Sequence, residues 1–224
     1  MDLVGGFETF SDSKNNIAGT IPAVLLAASI QAIDLSENAF SGALSPMSDS
    51  LVTLNVERNN LSGPLTEIGK AVSVATVKIA YNSFNGPLPA ALFTRPLQEL
   101  DLGNNFLSGR IPSEISQATL LKSLTLGPNK FTGALPSNIK FLTNLESLFI
   151  YKIPDLDGRL PGSFGLSLTN LVEMIISETL VHGNIPSFFG DLTKLETLNL
   201  SNNLLRNELP NELGLLTRLS KYFA

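Results

Sequence analysis

One spacing recurs along the whole chain. Leu97, Leu100, Leu102, Asn105, Leu107, Gly109, Ile111 and Pro112 spell L-x-x-L-x-L-x-x-N-x-L-x-G-x-I-P. The same frame returns with its first apolar residue at Phe7, Ile30, Leu51, Val74, Leu97, Leu121, Leu145, Leu171 and Leu195, and an incomplete tenth copy begins at Leu219. The intervals lie between 21 and 26 residues. A unit of that length cannot enclose a core alone, so the copies must stack and share one. The chain therefore reads as a solenoid rather than a globule, with residues 1–224 as a single repeat domain.

Each position in the frame has a physical task. The L-x-x-L-x-L piece alternates apolar and polar in its second half, the period of a strand with one buried face. Strands this short need partners, and copies running in one direction can only pair in parallel, with the rest of each copy as the crossover. Ten strands at about 4.8 Å spacing make a sheet roughly 43 Å along the stack. Asn15, Asn38, Asn59, Asn82, Asn105, Asn129 and Asn203 form a column whose amides can satisfy backbone groups left open where the chain turns off the strand. Copy seven departs, holding one residue too many between Ile150 and Gly158, with Pro154 near the expected Asn site; in copy eight Thr179 stands in. Local distortion is expected around Tyr151–Asp157. Gly42, Gly63, Gly86, Gly109, Gly133, Gly158 and Gly183 suit positive φ or close approach at the following bend. Pro22, Pro89, Pro112, Pro136, Pro161, Pro186 and Pro210 preset φ where a short helical or 3₁₀ turn begins, while Ser45 and Thr66 replace Pro in copies two and three.

With Gly109-Arg-Ile-Pro-Ser-Glu-Ile and Leu209-Pro-Asn-Glu-Leu-Gly-Leu-Leu-Thr in this frame, the array over residues 7–224 resembles the plant-type leucine-rich repeat family. Its members include receptor-like kinase ectodomains, receptor-like proteins and related algal repeat proteins. The resemblance implies an α/β solenoid: a right-handed arc with a parallel β-sheet on the concave face and short 3₁₀ or helical turns on the convex face. It also implies binding of proteins, peptides or glycans without catalysis or cofactor.

Composition narrows the function classes. A net charge of −5 with no basic run argues against nucleic acid as partner. No apolar run approaches the roughly 20 residues of a membrane span. Residues 1–6 show no secretory signal, and the absence of Cys departs from secreted members of the resembled family, which usually flank the array with paired cysteines. Both features favour an intracellular chain, unless a longer parent is secreted or membrane-anchored. Asp12 at a buried strand position and the stop after Tyr222 make the chain read as a section of a longer array.

No catalytic or metal constellation stands out. His182 is the sole histidine and sits beside Gly183; Asp155-Leu-Asp157-Gly158 begins like a calcium loop but lacks the third acidic ligand and the closing Glu. Two Asn-x-Ser sequons, at Asn60 and Asn199, arise readily in an Asn-rich repeat. Function then falls to outward strand positions. Between the second and third leucines these are Asp34, Asn55, Lys78, Asp101, Thr125, Phe149, Ile175 and Asn199, and two residues further on they are Ser36, Glu57, Ala80, Gly103, Gly127, Tyr151, Ser177 and Ser201. Phe149, Tyr151 and Ile175 break the small-polar character, with Lys152 beside them and Gly103, Gly127 and Pro128 leaving a trough nearby. Lys78 and Tyr81 form a second candidate. The leading reading is a protein- or peptide-binding module using the concave face; the alternative is a truncated ectodomain of a receptor-like kinase or receptor-like protein.

Overall fold

The computed structural model describes residues 8–224; Phe7, the first apolar position of copy one, lies outside them. Ten strands, from Thr9–Ser11 to Lys221–Phe223, pair in chain order, every pairing parallel. The register lines up one inward residue per coil: Ile33, Leu54, Val77, Leu100, Leu124, Leu148, Met174 and Leu198 stand side by side. From Leu54 to Leu198 each of these is fully buried. At the two ends of the row, Phe10 and Tyr222 are only partly covered. The core is thus one continuous apolar column closed by stacking.

A second sheet, absent from the sequence reading, runs along the stack. The segments between the Asn and Gly positions pair in parallel from Ala18–Thr20 through Asp155–Asp157, seven strands in order, and His182–Gly183 continues with Leu204–Leu205 as a separate pair. Their inward residues, such as Leu61, Phe84, Leu107 and Phe131, close the other side of the core. Gly42 through Gly183 end these segments with φ between +78° and +97°, a backbone that side chains with a β-carbon resist. The prolines then open short turns: Pro89, Pro112, Pro136, Pro186 and Pro210 precede 3₁₀ helices and Pro22 an α-turn. The proline carbonyl accepts the N–H of the anchor three residues on, as from Leu92, Ile115 and Phe189, and these three anchors are fully buried.

Asn59, Asn82, Asn105 and Asn129 lie buried at the turn off the front strand. Asn105 is representative. Its Oδ1 accepts the Phe84 N–H of the preceding coil (3.0 Å), and its Nδ2 donates to Ile79 O of that coil (3.0 Å) and to Leu102 O of its own (3.2 Å). Asn38 and Asn203 make the same kind of bond toward the coil before them, reaching Asp12 O and Ile176 O. Asn15, in the first coil, is exposed, and among the described residues its amide donates to Asp12 and Ser13 beside it. In coil seven the ladder position falls to Ile153, next to Pro154, and this side chain is fully buried. The extra residue is absorbed between Ile153 and Leu156, whose N–H donates to Ile153 O, so Asp155–Asp157 pairs with Thr132–Ala134 without a break. In coil eight the Thr179 hydroxyl donates to Asn203 Oδ1 (2.6 Å) and accepts from the Val181 N–H, bridging the gap.

Candidate functional site

The residue between the second and third strand leucines serves two purposes along the front sheet. Asp34, Asn55, Asp101 and Asn199 each accept the N–H two residues on through Oδ1, at 3.0, 3.2, 2.9 and 3.0 Å, which holds the chain in an Asx-type turn after a three-residue strand. Phe149 and Ile175 cannot accept such a bond. Their strands, Ser147–Tyr151 and Glu173–Ser177, instead run five residues and pair along their whole length. The aromatic and aliphatic side chains are thereby carried on the widest section of the sheet.

The position two residues further on points toward the next coil rather than freely into solvent. Ser36, Ala80 and Ser177 are buried there. A β-carbon built on Gly103 would stand 2.9 Å from Gly127 O, and one built on Gly127 would stand 1.7 Å from Tyr151 O. The small residues in this column are therefore a packing requirement between coils.

Over Gly103 lies a hollow of about 360 Å3 lined by Tyr81, Asp101, Asn104, Thr125, Phe149, Tyr151 and Ile175, with Ala80 at its edge. The two sequence candidates meet here: Tyr81 of coil four shares the hollow with Phe149 and Tyr151 of coil seven and Ile175 of coil eight. Tyr81 is 46% exposed and adopts φ +56° at the turn. The Arg58 guanidinium stacks on its ring at 4.2 Å from the centroid. Lys78 stays out of the hollow; its Nζ pairs with Glu99 Oε1 at 2.9 Å, and it lines a different depression with Asp34, Asn55 and Thr76. Lys152, with φ +51°, is exposed and also stands outside.

Asp101 also lines the hollow, in the same column as Phe149, and was not among the sequence candidates. Burial pushes its carboxyl above the ordinary carboxylate value, with Glu99 adding to this and the Gly103 N–H and Lys78 opposing it. Burial likewise raises the Tyr151 hydroxyl, reinforced by Tyr81 and Asp101. The Glu57 carboxyl is raised by burial and by Asp101, against Lys78 and Arg58. The hollow thus combines apolar walls with one carboxylate and two phenols, a set suited to holding a side chain. Among the described residues, no three His, Asp or Glu side chains converge for a metal ion, and no helix is long and apolar enough to cross a membrane. Asp155 and Asp157 belong to a back strand rather than to a calcium loop.

A stacked parallel sheet, a buried Asn ladder and Pro-initiated 3₁₀ turns define a leucine-rich repeat solenoid. The Leucine Rich Repeat family model matches residues 96–118 and 194–216. The ectodomain of the Arabidopsis thaliana receptor kinase GASSHO1/SCHENGEN3, solved with CASPARIAN STRIP INTEGRITY FACTOR 2, is 33% identical with a TM-score of 0.85, covering 92% of this chain and 25% of that one. The Arabidopsis HAESA ectodomain, solved with an N-terminally extended IDA peptide hormone, is 25% identical with a TM-score of 0.85, covering 95% of this chain and 40% of that one. The ectodomain of the Arabidopsis receptor kinase SOBIR1 is 30% identical with a TM-score of 0.51, over 56% of this chain and 67% of that one. No curated protein matches. The chain belongs to the plant-type leucine-rich repeat family and spans about a quarter to two fifths of the first two ectodomains.

Proposed function

We propose that the chain is a ligand-binding repeat module whose front sheet, as the concave face, receives a peptide or protein segment, with residues 1–224 acting as one binding domain. The observation that carries this reading is the hollow: Tyr81, Phe149, Tyr151 and Ile175 come from three separate coils and converge over Gly103. Aromatic walls on a rigid sheet bury a ligand side chain at little entropic cost, because the sheet is already ordered. Lys152 and Lys78 would act at the rim if at all. Relatives solved with a peptide hormone support this ligand class.

Short random peptides selected by display on the immobilised chain test the reading. Phe149→Ala and Tyr151→Ala should each weaken the selected peptides about tenfold or more while the unfolding midpoint holds, as expected of an interface anchor. Peptides that bind both variants as well as the parent would overturn it.

The second reading, a section of a membrane receptor ectodomain, is favoured by the partial coverage of the receptor relatives. A transcript continuing into further repeats, an apolar span and a kinase would carry it. A stop directly after Ala224, with no such segments upstream, would remove it.

A further inference from the structure

We propose that the flank of coils seven to nine holds a second site, suited to a tetrahedral oxyanion such as a sulfate or phosphate group. The position before the bend glycine is small and neutral through coils two to six: Ser41, Ser62, Asn85, Ser108 and Thr132. In coils seven to nine it becomes Asp157, His182 and Arg206, on parallel back strands where His182 pairs with Arg159 on one side and with Leu204, two residues before Arg206, on the other. The Arg159 stem runs along coil eight, its Cγ at ordinary contact distance, 3.4 Å, from where a β-carbon on Gly183 would stand.

These residues line a hollow of about 600 Å3 together with Asn184 and Asn207. Among the described residues, neither Arg159 nor Arg206 forms an ion pair or a side-chain hydrogen bond. Asn207 Nδ2 donates to Asn184 Oδ1, leaving the Asn184 Nδ2 donors free to face a ligand. The single acid of the hollow, Asp157, is 57% exposed and sits 3.6 Å from His182 Nε2. Two unpaired guanidiniums, an imidazole and an amide supply donors in the planar, forked geometry that oxyanions accept. This basic spot lies on a chain of net charge −5, and it belongs to the back strands rather than to the peptide-binding front sheet. It stands or falls independently of that reading.

His182 is the only histidine, so its ring protons give one unambiguous probe inside the site. The intact chain is titrated with sodium sulfate, sodium phosphate or dextran sulfate at ionic strength held constant with sodium chloride. The expected result is a saturable shift of the His182 ring resonances, weakened at least tenfold in Arg159→Gln and in Arg206→Gln, both exposed positions whose unfolding midpoints should match the parent. Saturation by the inorganic salts identifies a free anion as ligand; saturation by dextran sulfate alone identifies an ester on a larger molecule. No saturable shift with any probe, or a shift that survives in the Arg159→Gln/Arg206→Gln double variant, overturns the site.

Discussion

The Asn129 amide donates to the carbonyl of Leu102, one coil back, at 2.8 Å, and that same carbonyl accepts from Asn105 of its own coil at 3.2 Å. The carbonyls of Leu35, Val56 and Ile79 are likewise shared by two amides, and each of these amides spans two coils. The ladder joins neighbouring coils with buried polar bonds where the strands end, in a place where water cannot substitute.

Asn105→Ala removes one acceptor and several donated bonds from a buried corner, leaving the Phe84 N–H and the Ile79 carbonyl without that partner. The expected cost is about 1–3 kcal/mol, read as a lower urea midpoint. Asn15→Ala, on an exposed amide, should stay within about 0.5 kcal/mol. An Asn105→Ala midpoint equal to the parent's would show that the ladder does not bind the coils together.

Gly127→Ala forces a β-carbon toward Tyr151 O, so the coils must separate locally; a loss of about 1–3 kcal/mol is expected. Gly214 in the last 3₁₀ turn has nothing within 4 Å of a built β-carbon. Gly214→Ala should be neutral or stabilising by up to about 1 kcal/mol, through the unfolded chain. Thermal midpoints of the two variants decide between close coil packing and mere exposure as the reason for the small column.

Asp101 has a folded pKa above its unfolded one, so the stability it contributes is fully present below the ordinary carboxylate range and is lost as pH rises through the folded value. Asp101→Asn keeps an oxygen for the Gly103 N–H and removes the buried charge. Its unfolding midpoint should exceed the parent's at pH 7 and converge with it near pH 3. A lower midpoint at pH 7 would show that the carboxylate is favourably compensated where it stands.

Lys78→Ala should leave the affinity of front-sheet peptides unchanged and cost less than about 1 kcal/mol, since its bond to Glu99 is a partly exposed ion pair. Ile175→Ala, inside the hollow, should weaken the same peptides. If calorimetry with one selected peptide gave the reverse order, the binding surface would have to move toward the Lys78 depression.

The stacking of Leu100 between Val77 and Leu124 was legible in the spacing of leucines, because a strand has only two faces and one must be apolar. The back strands were not, because segments such as Phe106–Gly109 are short and end at a glycine, so they read as a bend alone. Ile153 at an Asn position was hidden by the extra residue before Leu156. The Asx turn at Asp101 was within reach, since Asp or Asn at that column recurs two residues before a small or polar residue. The left-handed residues Arg58, Tyr81 and Lys152 gave no signal, as none is a type that favours positive φ.

The order of residues by itself determined that this chain is a stack of parallel coils with a shared apolar column. Side-chain period dictates which groups must leave water, and a unit repeated in one direction has no other way to bury them. Only the tertiary structure decided that Tyr81, Phe149, Tyr151 and Ile175 share one hollow while Lys78 and Lys152 do not. That outcome depends on how closely adjacent coils approach at Gly103 and Gly127 and on which strands extend past their turn, and these are properties of neighbouring coils packed together rather than of any one copy.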